Sequence, residues 1–330
     1  MIYRLKALLP LLSTIYFLLC LPACQQAFRN NNYDTIQWAA AWSPDGGRIA
    51  TGGNNRGLLI LGAPELVKQN HFAFTQTITS TAFHPTDPLL AVAIQLSGSR
   101  SHLINLETGE QTPLDSLSPF GARAVGWNPD GTLLALGDNE GNLVIYDRQS
   151  HFISKVKIDP KALTGLSWHP TKPLLAMTGS RISLYNIESE ELITVQPRQH
   201  EVLMLCVDWH PSGNFFVTGD YGDKENDLPP LLQFRDEQGN KIREVQKGKG
   251  EFRSVKWSPD GNTLATTSDK IRLWTSEGEI LKEKGLGAPL WGLSWNPAGD
   301  KLVTSSGKGQ VVILDKTLQV EKTYDAVPEE

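Results

Sequence analysis

The sequence is poor in two features that would define common functional classes. Lysine and arginine total 31 against 36 acidic residues, for a formal charge of −5, and they form no run along the chain. A nucleic-acid partner would need clustered positive charge, so the composition argues against one. Cysteine is also scarce, with three in 330 residues. A disulfide framework is therefore not expected, and the fold must be stabilised by packing.

A sustained apolar period of 3.6 residues is missing beyond the N-terminal segment, so helices are not expected in the body of the chain. Turn-forming residues and bulky aromatics are abundant instead, with 29 Gly, 20 Pro and nine Trp. Gly and Pro favour tight turns, and Trp fills a core with a large apolar surface. This composition is typical of many short strands joined by turns.

Residues 1–23 have the pattern of a targeting segment, a signal peptide of the lipoprotein type. Arg4 and Lys6 precede an apolar stretch over residues 7–21, which is shorter than the roughly 20 apolar residues of a bilayer span. The stretch ends in the tetrapeptide Leu21-Pro22-Ala23-Cys24. This tetrapeptide resembles the lipobox of bacterial lipoproteins, and the resemblance implies cleavage before Cys24 and a lipid on that residue. A plain secretory signal and an uncleaved anchor are the alternatives.

Residues 24–35 are polar and asparagine-rich, as a flexible tether would be, and residues 36–330 then form the globular body. The lipoprotein interpretation predicts an extracytoplasmic protein held at a membrane by its N-terminal lipid. Lipoproteins retained at the inner membrane usually carry Asp after the cysteine; Gln25 stands there in this chain and favours the outer membrane. A secreted or periplasmic protein is the alternative.

One short motif recurs seven times in the body. An aromatic residue, a polar residue and a proline come together, often followed by Asp-Gly or a related turn. The lead aromatics are Trp42, Phe83, Trp127, Trp168, Trp209, Trp257 and Trp295. Their spacing of about 40 residues matches the period of a four-stranded propeller blade. His84, His169 and His210 share the polar slot with Ser and Asn, which marks them as turn residues rather than catalytic groups.

Each repeat predicts four strands, for example a second strand over residues 263–267 and a third over 142–147. The pattern resembles the WD-repeat family across nearly all of the body, although the Trp-Asp dipeptide that names the family is eroded. The resemblance implies an all-β, seven-bladed β-propeller with four antiparallel strands per blade. The last repeat supplies its own third and fourth strands, over residues 310–314 and 320–324. We therefore expect the ring to close by packing of blade 7 against blade 1, without a swapped strand.

The residues before each lead aromatic indicate what surrounds the channel. The residue three positions before it is always small, as converging inner strands require: Ala39, Ser80, Ala124, Gly165, Cys206, Ser254 and Gly292. For Cys206 this steric role is favoured over a nucleophilic one. Side chains alternate along a strand, so the preceding position is expected to face the channel mouth. The seven residues at this position are called the mouth ring here: Trp38, Thr79, Arg123, Thr164, Leu205, Arg253 and Trp291.

Trp38 and Trp291 lie on blades that become neighbours on ring closure, and Arg253 is one blade further on. Tryptophan and arginine dominate binding hot spots. Trp38, Trp291, Arg253 and Arg123 are therefore the predicted partner-binding residues. The alternative is that both tryptophans simply plug the channel.

Catalytic chemistry has little support in the sequence. Propeller enzymes that bind a catalytic metal in the channel resemble one another in lining it with carboxylates, His or Asn, and the mouth ring contains none of these residues. The sequence also lacks a nucleophile elbow and a His-Glu-x-x-His pair. An insertion in blade 5 contains Asp223, Glu225 and Asp227, a weak Ca²⁺ candidate. Its spacing does not fit an EF-hand, and a solvated acidic loop is the preferred interpretation.

The sequence thus predicts a non-catalytic scaffold that binds a protein or peptide and needs no cofactor. A propeller enzyme or small-ligand receptor of the lactonase or quinoprotein kind, acting through the channel, is the alternative. The mouth ring, with its lack of carboxylates, favours the scaffold.

Overall fold

A computed structural model describes residues 35–54, 57–96, 98, 100–198, 202–248 and 250–326. The predicted signal peptide, Cys24 and the tether up to residue 34 lie outside the described residues. Among the residues described, no helix is long and apolar enough to cross a membrane.

The described chain forms seven four-stranded antiparallel sheets, each built from four strands consecutive in sequence. Blades 1 to 3 comprise β1 (Gln37–Trp42), β2 (Arg48–Gly53), β3 (Leu58–Gly62), β4 (Val67–Phe72); β5 (Thr77–Phe83), β6 (Leu89–Gln95), β7 (His102–Asn105), β8 (Gln111–Pro113); and β9 (Ala122–Trp127), β10 (Leu133–Asp138), β11 (Asn142–Asp147), β12 (Phe152–Lys157). Blades 4 and 5 comprise β13 (Gly165–Trp168), β14 (Leu174–Thr178), β15 (Ile182–Asn186), β16 (Leu192–Val195); and β17 (Met204–Trp209), β18 (Phe215–Asp220), β19 (Leu232–Asp236), β20 (Lys241–Val245). Blades 6 and 7 comprise β21 (Ser254–Trp257), β22 (Leu264–Thr267), β23 (Ile271–Trp274), β24 (Ile280–Lys284); and β25 (Leu290–Trp295), β26 (Lys301–Ser306), β27 (Gln310–Asp315), β28 (Val320–Asp325).

The first strands of the blades contact one another in ring order, from β1 through β5, β9, β13, β17 and β21 to β25 and back to β1. The predicted fold, a seven-bladed β-propeller, is confirmed. Blade 1 and blade 7 each contain their own four strands, so the predicted closure without strand exchange also holds for the described chain. The closing contact is hydrogen-bonded: Ser305 Oγ donates to the carbonyl of Gln37 at 2.8 Å, and Trp42 N donates to Ser294 Oγ at 3.1 Å.

The core is divided among the blade junctions. Seven clusters of buried apolar side chains occur, and each joins two neighbouring blades. Sheets packed face to face in this way bury both faces of the middle strands, which accounts for continuous apolar runs such as β27. The outer strands are exposed and carry lysines, as in β24, which discourages pairing with the edge of another sheet.

The inner strands depart from simple alternation. In β1, β9, β17 and β25 the half-exposed residues are three positions apart, with two buried residues between them. The cause is a shift of register near the start of these strands, for example between Gln37 and Ala39 where β1 pairs with β2. Such a bulge places one extra residue on the strand and changes the face of everything before it. The prediction assumed strict alternation and therefore missed the second channel-facing position.

The small residues at the inner strands have the predicted steric role. A Cβ atom on Gly165 would lie 3.2 Å from Cα of Cys206 on the next blade, and one on Gly292 would collide with the backbone of Ala40. Cys206 itself is buried, with Sγ 3.2 Å from the carbonyl oxygen of Phe252. Burial raises the pKa of its thiol far above the ordinary range, so Cys206 packs as a small apolar residue.

Candidate functional site: the channel mouth

A cavity of about 560 Å³ lies at the centre of the ring. All seven residues predicted for the mouth ring line it, together with the small residues that follow them: Trp38, Thr79, Arg123, Thr164, Leu205, Arg253 and Trp291. Ligand sites in proteins commonly have volumes of about 300–1,000 Å³. We call the side of the propeller where loops lead into the inner strands the mouth face.

Three of the four predicted partner-binding residues form one cluster. The rings of Trp38 and Trp291 lie 4.3 Å apart between centroids, inclined at 50°. The guanidinium carbon of Arg253 lies 4.3 Å from the centroid of the Trp291 ring, a distance at which the cation is attracted to the ring face. The predicted neighbourhood of these three residues is therefore present in the structure.

Fixed partners hold the cluster in place. Trp38 Nε1 donates to Asn54 Oδ1 at 2.8 Å. Arg253 Nη1 donates to the carbonyl of Ser268 at 3.1 Å, and its Nη2 pairs with Glu251. Side chains that are already ordered lose little entropy when a partner binds. The cluster is consequently a rigid, half-exposed aromatic surface at the mouth.

Arg123 stands apart from this cluster, on blade 3. Within the described chain its side chain has no hydrogen bond and no ion pair. Burial lowers the pKa of its guanidinium, because removing water from around the cation disfavours the charged form. The hydroxyl groups of the neighbouring mouth-ring residues donate to backbone carbonyls: Thr79 Oγ1 to Ala122 O at 3.1 Å, and Thr164 Oγ1 to Met204 O at 2.6 Å. Arg123 is therefore an uncompensated cation in the channel.

A second ring at the residue just before each lead aromatic was not predicted. Its members are Ala41, Ala82, Gly126, Ser167, Asp208, Lys256 and Ser294, all half-buried. Lys256 Nζ and Asp208 Oδ1 are 2.7 Å apart, and Asp208 Oδ2 also accepts the backbone N–H of Trp257 at 2.9 Å. The bulge brings this position to the channel, and six of the seven members line the cavity. The sequence contained a signal, since Asp208 is the one acid at that position, but its carboxylate lies just outside the lining, bonded to Lys256 and Trp257.

The acidic insertion of blade 5 does not gather its carboxylates. Asp223 accepts the backbone N–H groups of Glu225 and Asn226 and the side-chain amide of Asn226, so it caps its own loop. In the described part of the chain no three His, Cys, Asp or Glu side chains come close enough to hold a metal ion. The Ca²⁺ candidate formed by Asp223, Glu225 and Asp227 is thus not assembled in this structure, because the loop uses Asp223 locally.

Comparison with known proteins finds a family match for part of the ring. Two segments, residues 192–225 and 240–275, match the family "WD domain, G-beta repeat". Each begins in or just before the outer strand of one blade, β16 or β20, and continues into the next blade. In these two segments the matched repeat is therefore offset from the structural blade by one strand and links two blades.

Curated relatives are distant. The chain is 23% identical over 228 residues to Actin-related protein 2/3 complex subunits 1A and 1B of Arabidopsis thaliana, covering 57% of this chain and 57% of each relative. It is 26% identical over 119 residues to Minichromosome loss protein 1 of Schizosaccharomyces pombe, covering 34% of this chain and 14% of that protein. The chain thus spans little more than half the length of the first two relatives.

Proposed function

We propose that this protein is a non-catalytic scaffold that binds a protein or peptide partner at the channel mouth through Trp38, Trp291, Arg253 and Arg123. The observation that carries the proposal is the packed cluster of two tryptophans and an arginine, half-exposed on a rigid ring. Residues of this kind supply most of the binding energy at protein interfaces. The WD-repeat match and the relatives named as subunits of a complex support a role in protein assembly.

A channel enzyme or small-ligand receptor is the competing function. The cavity lining includes three cations, Arg123, Arg253 and Lys256, and the thiol of Cys206. The raised pKa of that thiol leaves it a poor nucleophile. The two guanidinium groups bind and orient anionic groups but do not serve as general bases, and Lys256 Nζ is engaged by Asp208 at 2.7 Å. This set of groups supports binding over catalysis.

We further propose that Cys24 carries a lipid that tethers the propeller to a membrane on the extracytoplasmic side, with the outer membrane favoured. The support is the sequence of the N-terminal segment, with its basic start, short apolar stretch and Leu-Pro-Ala-Cys motif. Incorporation of a labelled fatty acid tests it. Label should enter the wild type and the Cys20→Ser variant but not Cys24→Ser. Equal labelling of all three, or no labelling of the wild type, would refute the tether.

The scaffold proposal is tested by affinity capture from detergent-solubilised membranes with the wild type and the Trp38→Ala/Trp291→Ala double variant. A partner retained by the wild type should be lost by the variant. The matched control is Val67→Ala/Val320→Ala, which removes two exposed apolar side chains from outer strands, far from the mouth. Retention of the partner by the channel variant would show that the mouth is not the binding surface.

A further inference from the structure

The charges that line the cavity are of one sign. Arg123, Arg253 and Lys256 contribute to the lining, and no Asp or Glu does, although the chain as a whole carries a formal charge of −5. Two of these cations are paired with carboxylates just outside the lining: Arg253 with Glu251, and Lys256 with Asp208. Arg123 alone of the three has no such carboxylate within the described chain. The excess positive charge of the channel is thus localised at one residue.

An unpaired cation in a partly dehydrated channel costs free energy that a bound anion would recover. The guanidinium group suits a carboxylate because it can donate two parallel N–H bonds to the two oxygens. The Arg123 side chain has no acceptor in the described chain, so its donors remain available for such a carboxylate.

Two exposed apolar side chains lie on loops of the mouth face, one of them on the loop that leads to Arg123. Phe120 lies three residues before Arg123 on the loop that leads into β9, and its side chain is 53% exposed. Leu96 lies beside it, with its backbone N–H donating to the carbonyl of Phe120 at 3.1 Å, and is 51% exposed. Both belong to loops of the mouth face. A peptide segment that places an acidic residue in the channel from this face could pack its own apolar residues against these two side chains.

We propose that Arg123 is the counter-ion for one carboxylate of the bound partner, an acidic residue inserted into the channel from the mouth face as part of a short segment with apolar neighbours. The inference rests on the proposed scaffold function and names the chemistry that the mouth recognises. The paired cluster of Trp38, Trp291 and Arg253 supplies contact area, whereas Arg123 supplies selectivity. A neutral segment in the same place would leave the cation unpaired and bind more weakly.

Selection from synthetic hexapeptide libraries tests this directly. One library has amidated C-termini, so that carboxylates come only from Asp and Glu side chains, and a second has free C-termini. We expect the wild type to enrich Asp or Glu at one position of the amidated library, next to apolar residues. Enrichment only in the second library, without an acidic side chain, would assign Arg123 to a C-terminal carboxylate and overturn the side-chain form of the proposal.

Variants separate a binding role from a structural one. Individual enriched peptides should bind Arg123→Gln at least tenfold more weakly than the wild type. Arg123→Glu should select Lys or Arg at the position where the wild type selects acids, a switch that damage to the fold would not produce. Arg181→Gln is the matched control, because Arg181 is an exposed arginine on the loop between β14 and β15 of the same face. It should leave affinity and selectivity unchanged.

The remaining outcomes discriminate between the two proposals. Peptides enriched without any acidic preference, and lost by Trp38→Ala/Trp291→Ala, would overturn the role of Arg123 while leaving the scaffold function intact. No enrichment in either library would overturn the carboxylate inference. The scaffold function would then depend on the capture experiment alone. Equal affinity of Arg123→Gln and the wild type for acidic peptides would also overturn it.

Discussion

The blade junctions are of two kinds, and the difference is set by one residue of the turn. At the histidine junctions, between blades 2–3, 4–5 and 5–6, the slot after the lead aromatic holds histidine. Its Nε2 lies 2.8–3.0 Å from a glycine carbonyl of the next blade, in the pairs His84–Gly131, His169–Gly213 and His210–Gly261. At the other junctions the slot holds Ser or Asn, which accepts a backbone N–H of its own turn, as Asn128 does from Leu133 at 2.8 Å.

The two kinds of junction also differ at the tryptophan of the following blade. At the histidine junctions each of these indole rings packs edge-on to the histidine, and none of their three Nε1 atoms has a hydrogen-bond partner in the described chain: Trp127, Trp209 and Trp257. At two of the four serine or asparagine junctions the indole instead donates to a backbone carbonyl of the preceding blade. Trp168 reaches Gly126 at 3.0 Å and Trp295 reaches Lys256 at 3.0 Å. Blade 1 differs, since Trp42 donates to Gly46 of its own turn, and blade 2 has Phe83 and no indole. The three histidine junctions are therefore tied through the histidine ring, and two of the four other junctions through the indole.

The largest expected effect comes from the glycine that faces a histidine. Gly213 has φ +76°, and a Cβ there would lie 2.6 Å from the His169 ring. Gly46 occupies the equivalent turn position with φ +75°, but its Cβ would meet Pro297 at an ordinary 3.7 Å. Gly213→Ala should cost about 3 kcal/mol of unfolding free energy from backbone strain plus overpacking, and Gly46→Ala about 1 kcal/mol from strain alone. Chemical denaturation measures both; equal losses would show that the histidine contact is not rigid.

The next largest effect is expected from the histidine itself. His169→Asn removes the bond to the Gly213 carbonyl and the contact with Trp209 in a buried site. We expect a loss of about 2 kcal/mol, since a buried carbonyl is left without its donor. Asn128→Ser is the control, because Ser43 and Ser258 already perform the same local role in their turns. It should change stability by less than about 0.5 kcal/mol. A similar loss in both variants would contradict the distinction between junctions.

Replacing tryptophan by phenylalanine on the two sides of blade 4 sharpens the comparison at the indole. Trp168→Phe removes the bond to the Gly126 carbonyl, whereas Trp209→Phe removes an N–H that has no acceptor in the described chain. The lost apolar contact is similar in both, so Trp168→Phe should be the costlier by about 1 kcal/mol. Phe83 already occupies this position in blade 2. Equal costs would mean that Trp209 Nε1 has a bond of comparable strength.

The features that could be predicted from the sequence are those that depend on residues close together in the chain. Turn residues and strand composition predicted a third strand over residues 142–147, and β11 spans Asn142–Asp147. They also identified the histidines as turn residues. What they could not predict depends on contacts between distant residues. His169 and its carbonyl partner are 44 positions apart in the sequence. The bulge before Ala39 changes which face of the strand the preceding side chains occupy, and no residue near it in the sequence marks that change. Arg123 is unpaired because no residue of the described chain close to it in space supplies a carboxylate.

The smallest expected effect is a pH dependence confined to a histidine junction. Burial lowers the pKa of His169 below its ordinary value of about 6.5. The bond to the Gly213 carbonyl and the charge of Glu237 oppose this shift, and the charge of Lys172 adds to it. Its Nδ1 accepts the backbone N–H groups of Thr171 and Lys172, which leaves no place for a second proton. Below about pH 6.5 the unfolded chain therefore binds a proton that the folded chain refuses, and stability falls as the pH falls.

This effect is best measured as a difference between two proteins. The stability advantage of the wild type over His169→Asn should be full at pH 7.5 and smaller at pH 5.5, because only the wild type loses the contribution of the neutral imidazole. Burial also lowers the pKa of His102, but that contribution is common to both proteins and cancels. Denaturation at the two pH values suffices. An advantage that stays constant on acidification would show that the junction accommodates the imidazolium. An advantage that grows would show that the tie to Gly213 is stronger in acid than in neutral solution.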